Sequence, residues 1–189
     1  MRLYYTTTIG FNNEQPNPDR SLGGFKASTP VVNDDFSNIF DEVSVMTIRS
    51  DRDEYRAIML VNEFSVTCTN VRIRIEQGDE DICSYKLAIG QLDIVNKYGQ
   101  KSMESVLSQT NKPFRAQFVD MTPDVVLTVG NLKASEAIGI WVCRHVDKEL
   151  AKKQYNDVCR PDPKDPTGRR YIPVDHPTQE SVNMIIEWD

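Results

Sequence analysis

Only two histidines limit the nucleophilic chemistry open to this chain, since any Ser/His or Cys/His arrangement must use His145 or His176. His145 belongs to Cys143-Arg144-His145, and Cys159 lies downstream. In an extended strand, residues 143 and 145 face the same way. Zinc asks for four ligands, or three and a water, at paired tight spacings, and no second paired motif exists. A buried cysteine beside a strand-end histidine is the plainer reading. His176 sits in Pro173-Val174-Asp175-His176-Pro177, an ordinary setting for a surface histidine. Neither GxSxG nor a caspase-like or papain-like cysteine context occurs. Asp79-Glu80-Asp81 reads as a solvated turn without the EF-hand register, rather than as paired carboxylates for glycoside hydrolysis. Ser21-Leu22-Gly23-Gly24-Phe25 is neither GxxxxGK[ST] nor GxGxxG; its two glycines mark positive φ or close chain packing. Trp141 and Trp188 are candidate stacking residues for a carbohydrate. Each lies in an alternating segment, so core or interface packing is the first expectation. The chain reads as a non-enzyme, with no catalytic residue, metal or cofactor expected.

Composition narrows the class further. The chain has 189 residues, 39% hydrophobic, with a formal net charge of -6. That field repels a phosphate backbone, and no basic stripe overrules it, so nucleic acid is not an expected partner. No stretch approaches the roughly 18 apolar residues of a membrane helix. The opening MRLYYTTTIGFNNE lacks the apolar core of a secretory signal, so a cytoplasmic protein is expected. Cys68, Cys83, Cys143 and Cys159 contain no CxxC pair and are read as reduced, with Cys68 and Cys143 as small buried hydrophobes.

The elements that would position these residues are mostly strands. From Val43 the apolar period is two: Ser44–Ser50, Glu54–Asn62, Asn70–Glu76, Tyr85–Ile89, Pro113–Val119, Val125–Val129, Ala137–Cys143 and Val182–Trp188. Asn70–Glu76 alternates most cleanly, with Val71, Ile73 and Ile75 inward and Arg72, Arg74 and Glu76 outward. Phe114, Ala116 and Phe118 are expected on one side of their strand. Ser50–Asp53, Gln77–Asp79 and Gly130–Leu132 carry turn chemistry. Gly99–Gln109 is read as one or two helical turns with Met103 and Leu107 at i, i+4, and Asp147–Tyr155 as a helix capped by Asp147. Short strands without long amphipathic helices between them predict an all-β fold, an antiparallel Ig-like or jelly-roll-type sandwich. Residues 43–189 are assigned to this domain, with an irregular insertion at about 147–180 that includes the Pro-rich Cys159–Pro177.

Residues 1–42 look different. Leu3–Ile9 is β-prone, and Gly10–Pro30 is rich in Asn, Pro, Ser, Gly and Asp, yet carries Phe11, Leu22 and Phe25. Asn33-Asp34-Asp35 offers caps for a short helix presenting Phe36, Ile39 and Phe40. These features predict an extended N-terminal arm with a short helix and no core of its own.

Three segments carry a resemblance. DRSLGGFKASTPVVNDDFSNIF is similar to an N-terminal "SLGG…S…N…LF" stretch of tailed-phage virion proteins. EYRAIMLVNEFSVTCTNVRIRIE resembles the hairpin of those proteins' Ig-like domains, and LTVGNLKASEAIGIWVCRHV the strand pair that follows it. Together they cover most of Asp19–Val146 and resemble structural proteins of podovirus-like phages of Bacteroidetes, the crAss-like group among them. The resemblance implies a virion component assembled in the host bacterial cytoplasm: a connector or tail ring, a collar element, or a capsid decoration. Its partners would be copies of itself in a ring or other oligomer, and portal, tail or capsid proteins.

An arm laid on a neighbour fits that placement, because binding offsets the ordering entropy of a turn-rich segment. Arg2–Ile9 would add to a neighbouring sheet edge. Expected assembly contacts are Tyr4, Tyr5, Phe11, Leu22, Gly23, Gly24, Phe25, Phe36, Phe40 and, in the insertion, Tyr171. Deleting residues 1–31 is expected to leave the sandwich folded. The alternative function is a capsid decoration or a head- or tail-fibre module binding a surface glycan, with Trp141 or nearby loops as platform.

Overall fold

Alternation on Val71, Ile73 and Ile75 needs a second apolar surface, and the fold supplies one. The computed structural model describes residues 1–32, 38–41, 43, 51–76, 82–151, 159–161, 164–167, 171–173 and 183–189. Its strands are β1 (Arg2–Thr7), β2 (Gly23–Pro30), β3 (Glu54–Val61), β4 (Cys68–Glu76), β5 (Cys83–Gly90), β6 (Ile94–Val95), β7 (Lys101–Ser105), β8 (Val119–Met121), β9 (Leu127–Leu132), β10 (Ala137–Val146), β11 (Cys159–Pro161), β12 (Tyr171–Pro173) and β13 (Asn183–Glu187). The sheet of eight strands has the order β6-β7-β2-β1-β3-β10-β5-β8, and a sheet of three has the order β13-β4-β9. All their pairings are antiparallel. The two sheets face each other across a core built from Ile58, Leu60, Leu87, Ile140 and Val142 on one side and Val71, Ile73, Ile75, Leu127 and Leu132 on the other. This is an all-β, antiparallel, sandwich-like fold. Among the described residues no helix is long and apolar enough to cross a membrane.

The central strands β3 and β10 are buried on both faces, as their dense apolar runs require. Their second face carries Tyr55, Ala57, Met59, Trp141 and Cys143, with Ala88 of β5 and Met103 of β7. Among the described residues no third sheet covers it. Residues 106–118 do, running as a strap from β7, near one end of the large sheet, to β8 at the other.

The leading residues are not a separate arm. β1 is bonded to β2 on one side and β3 on the other, deep inside the large sheet. Thr6, Thr7 and Ala27 are fully buried, and Ser21 Oγ and Thr6 Oγ1 both donate to Ala57 O. Two β-prone segments joined by a turn-rich loop find their core beside β3, so the expectation of a coreless arm is corrected. Phe36 lies outside the described residues, and Asn38–Phe40 form a bend.

Other local readings change as well. Gly99–Gln109 is not helical: it gives the end of the β6–β7 hairpin, then β7, then the start of the strap. Pro113–Val119 is not a strand; only Val119 begins one. Gly130-Asn131-Leu132 lie within β9, and the turn follows at Lys133–Glu136, where Glu136 N donates to Lys133 O and Ser135 has φ 61. Cys159–Pro177 contains the β11–β12 pair. Asp147 does cap a helical turn, its Oδ1 accepting from Glu149 N and Leu150 N (both 2.9 Å), but the described turn stops at Ala151. Ser44–Ser50 and Gln77–Asp79 lie outside the described residues.

Candidate interaction surface

The groups that could do chemistry are tied into structure. His145 Nδ1 lies 2.9 Å from Asp53 Oδ1, and Tyr55 Oη donates to Asp53 Oδ2 at 3.0 Å. Cys143 is 1% exposed. Burial, reinforced by the Asp53 charge, pushes its thiol up to about 12, so it stays protonated at neutral pH and is no nucleophile. Burial likewise raises the Tyr55 phenol. Cys68 and Cys143 are free thiols. Among the described residues no three His, Cys, Asp or Glu side chains come together as a metal could use them. His176 and Asp79–Asp81 lie outside those residues. Trp141 is 1% exposed beneath the strap, and the cleft beside it, between Gly90, Glu104, Arg115 and Ala116, has only about 10 Å³ of room. That is space for one water, so Trp141 offers no sugar platform.

Most of the expected contact residues are internal supports. Tyr4 is half-buried; its hydroxyl donates to the Glu63 carboxylate, and Lys26 Nζ sits 4.2 Å from its ring centroid. Tyr5 is buried and donates to Asn38 O at 2.5 Å. Leu22 O accepts from Val106 N at 2.9 Å. Gly23 and Gly24 face a β-bulge of β7, where Glu104 is the extra residue between their partners Ser105 and Met103; both have φ near +90 and no room for a Cβ, which at Gly23 would stand 2.0 Å from Glu104 O. Phe25 is half-buried in β2, and Tyr171 belongs to β12, opposite Pro161. Phe11, 43% exposed, is the most accessible of those described at side-chain level.

Phe40 closes one end of the sandwich. The guanidinium of Arg144 lies 4.6 Å from its ring centroid and that of Arg56 5.3 Å. Arg144 donates through Nε and Nη2 to Glu54 Oε2 (3.1 and 2.5 Å) and through Nη1 to Asp41 O (2.6 Å). Arg56 donates to the Asp19 carboxylate and to Gln109 Oε1 (2.7 Å). Burial, with Asp19 beside it, raises the Asp41 carboxyl. Both guanidinium groups are engaged by carboxylates of this chain, so the cluster clamps Asn38–Asp41 and does not await an anion.

Among the described residues, the two most exposed large apolar side chains lie on the strap. Leu107 is 99% exposed and Phe114 94%. Neither sits on a loose loop. Tyr55 N donates to Gln109 O (2.7 Å), and Phe114 N and Arg115 N donate to the two Glu104 carboxylate oxygens (2.8 and 2.9 Å). Arg115 grips Asp93 with both Nη groups, and Phe118 turns inward against Tyr55, ring centroids 5.5 Å apart. Beside the strap the β6–β7 hairpin exposes Ile94, Val95 and Tyr98. An arrangement that holds apolar side chains out on a pinned backbone presents them without further ordering cost on binding.

Sequence pattern does not reveal this surface, because it places Phe114 on one side of a strand with Ala116 and Phe118, and Leu107 on a helix face. The available signal is the turn chemistry of Ser108–Pro113, which interrupts the strand pattern; Asn111 N donates to Ser108 O at 3.0 Å. At the other end of β3, the exposed rings of Phe64 and Trp188 meet with centroids 5.8 Å apart. There Asn62, fully buried, donates to Val66 O (2.8 Å) and Leu132 O (2.9 Å) and fixes the β3–β4 loop.

No protein-family model, curated protein or solved structure matches this chain.

Proposed function

We propose that the chain is a non-catalytic structural component of a tailed-phage virion, a connector, tail-ring or collar protein, that works by being built into a multi-subunit assembly. The observation that carries this reading is the strap: Leu107 and Phe114 stand almost wholly in solvent on a backbone pinned at Gln109, Glu104 and Arg115. Apolar groups held out in this way are interface groups awaiting a partner. The sealed state of Trp141 and the protonated Cys143 thiol remove the strongest candidates for a ligand platform and a nucleophile. The resemblance of Asp19–Val146 to virion proteins supplies the setting. With β1 inside the sheet, the contact role moves from an N-terminal arm to the strap.

The test is the double variant Leu107→Asp/Phe114→Asp, produced in phage-infected cells in place of the wild-type chain. Both side chains point away from the core, so the melting temperature of the purified variant stays within a few degrees of wild type. Purified particles should lack the variant chain or fail to form. Particles that carry the variant at wild-type occupancy would remove the basis for this reading.

A further inference from the structure

Among the described residues the large sheet ends in two open edges. β6 is bonded only to β7, and β8 only to β5. The hairpin shows which way the β6 backbone points. Asn96 N donates to Gln100 O at 3.0 Å, so 96/100 is a hydrogen-bonded pair of the antiparallel ladder. Such pairs alternate, so Ile94/Ser102 is the next, and Val95/Lys101 between them is unbonded. The N–H and C=O of Val95 therefore face away from β7, a free template for another strand. Asn96 Oδ1 stiffens the hairpin by accepting from Tyr98 N (2.9 Å) and Gln100 N (3.0 Å).

The two edges carry opposite charge. Between Ile94 and Lys101 lie Lys97 and Lys101, both exposed, and no acid. Between Val119 and Asp124 lie Asp120 and Asp124, both exposed, and no base. One neighbour tempers the acidic edge: Lys86 of β5 reaches Asp120 at 2.8 Å, and its side chain is 37% exposed. Each edge also shows apolar area, Ile94, Val95 and Tyr98 on one and Val119 on the other.

We propose that copies of this chain associate head to tail, the β6 edge of one adding to the β8 edge of the next so that the sheet continues between copies. This rests on the assembly reading and names the partner as a second copy. Like edges are disfavoured, since β6 on β6 sets lysines against lysines and β8 on β8 sets aspartates against aspartates. Unlike edges make a heterologous contact, which closes into a ring or propagates as a filament. The edges are two and three residues long, so each contact is weak alone and association grows with concentration and falls with salt.

The experiment uses the purified full chain in three forms: wild type, Lys97→Glu/Lys101→Glu, and Asp120→Lys/Asp124→Lys. Sedimentation velocity over a concentration series at low salt should show oligomers for wild type and monomers for each variant alone, an association weakened about tenfold or more. An equimolar mixture of the two variants should regain oligomers, because contacts between the two again set opposite charges together. Carbodiimide coupling of mixed 15N-labelled and unlabelled wild type should give intermolecular bonds from Lys97 or Lys101 to Asp120 or Asp124. Melting temperatures near wild type establish that the variants are folded. A wild type monomeric at every concentration without such cross-links, or variants that associate as it does, overturns the proposal. If that happens while Leu107→Asp/Phe114→Asp is still excluded from particles, the edge contact falls and the assembly reading stands. Edge association together with normal incorporation of the strap variant would instead keep the edge contact and remove the strap's role.

Discussion

At the scale of single residues, burial decides more than residue type. Cys143 next to a histidine is a nucleophile's composition, but a thiol pushed up to about 12 beneath the strap is a core group. Its ordinary value is 9.0, so the unfolded chain loses this proton first as pH rises. The stability it contributes is complete below about pH 9 and declines up to about pH 12, and the raised Tyr55 phenol acts in the same sense. The melting temperature should therefore fall from pH 9 to 11, and less steeply in Cys143→Ala, once each protein is referred to its own value at pH 7. Equal slopes would show that the thiol is not the titrating group. The inward set Val71, Ile73 and Ile75 is legible in the sequence, because a half-buried strand writes its faces as alternation. Arg56 and Arg144 are not. They share the core-facing side with Ile58 and Ile140, and only the carboxylates of Asp19 and Glu54, brought from elsewhere, make that burial tolerable.

At the scale of elements, close approach of two backbones is the constraint that local pattern records only as glycine. Gly23 and Gly24 let β2 lie close against the bulge at Glu104 of β7 and carry φ of +93 and +92. A Cβ on Gly24 would stand 2.5 Å from Thr7 O, and neither backbone can yield without parting β1 from β2. Gly24→Ala should cost about 2–4 kcal/mol in denaturant unfolding. A loss under about 0.5 kcal/mol would show that the bulge is not held as described. The pair of glycines is a legible packing signal, but the strand it packs against has a helical look. Met103 and Leu107 fit an i, i+4 pattern, yet Met103 is buried against Trp141 and Leu107 is in solvent. Five residues of β7 are too few for periodicity to separate strand from helix.

At the scale of the molecule, the order of strands in the sheet differs from their order along the chain. β1 sits between β2 and β3, so removing residues 1–31 strips two strands from the middle of the large sheet and exposes the β3 edge. The truncated chain should show no cooperative thermal transition by circular dichroism, whereas a detachable arm would leave the transition intact. Tyr5, Thr6, Thr7 and Ala27 go with those strands, and the groups they cover cannot be re-covered locally.

The sequence alone determined the class of fold and the inward face of β4, because two-residue periodicity, turn residues and the lack of long amphipathic helices are local properties. It also disfavoured catalysis, since two histidines without a motif leave little to build from. Tertiary structure decided that the leading residues belong to the sheet, that Trp141 is sealed, and that Leu107 and Phe114 stand outside on a strap. Those outcomes turn on hydrogen bonds between residues far apart in the chain, such as Ala57 N to Ser21 O and Tyr55 N to Gln109 O, which no local window contains.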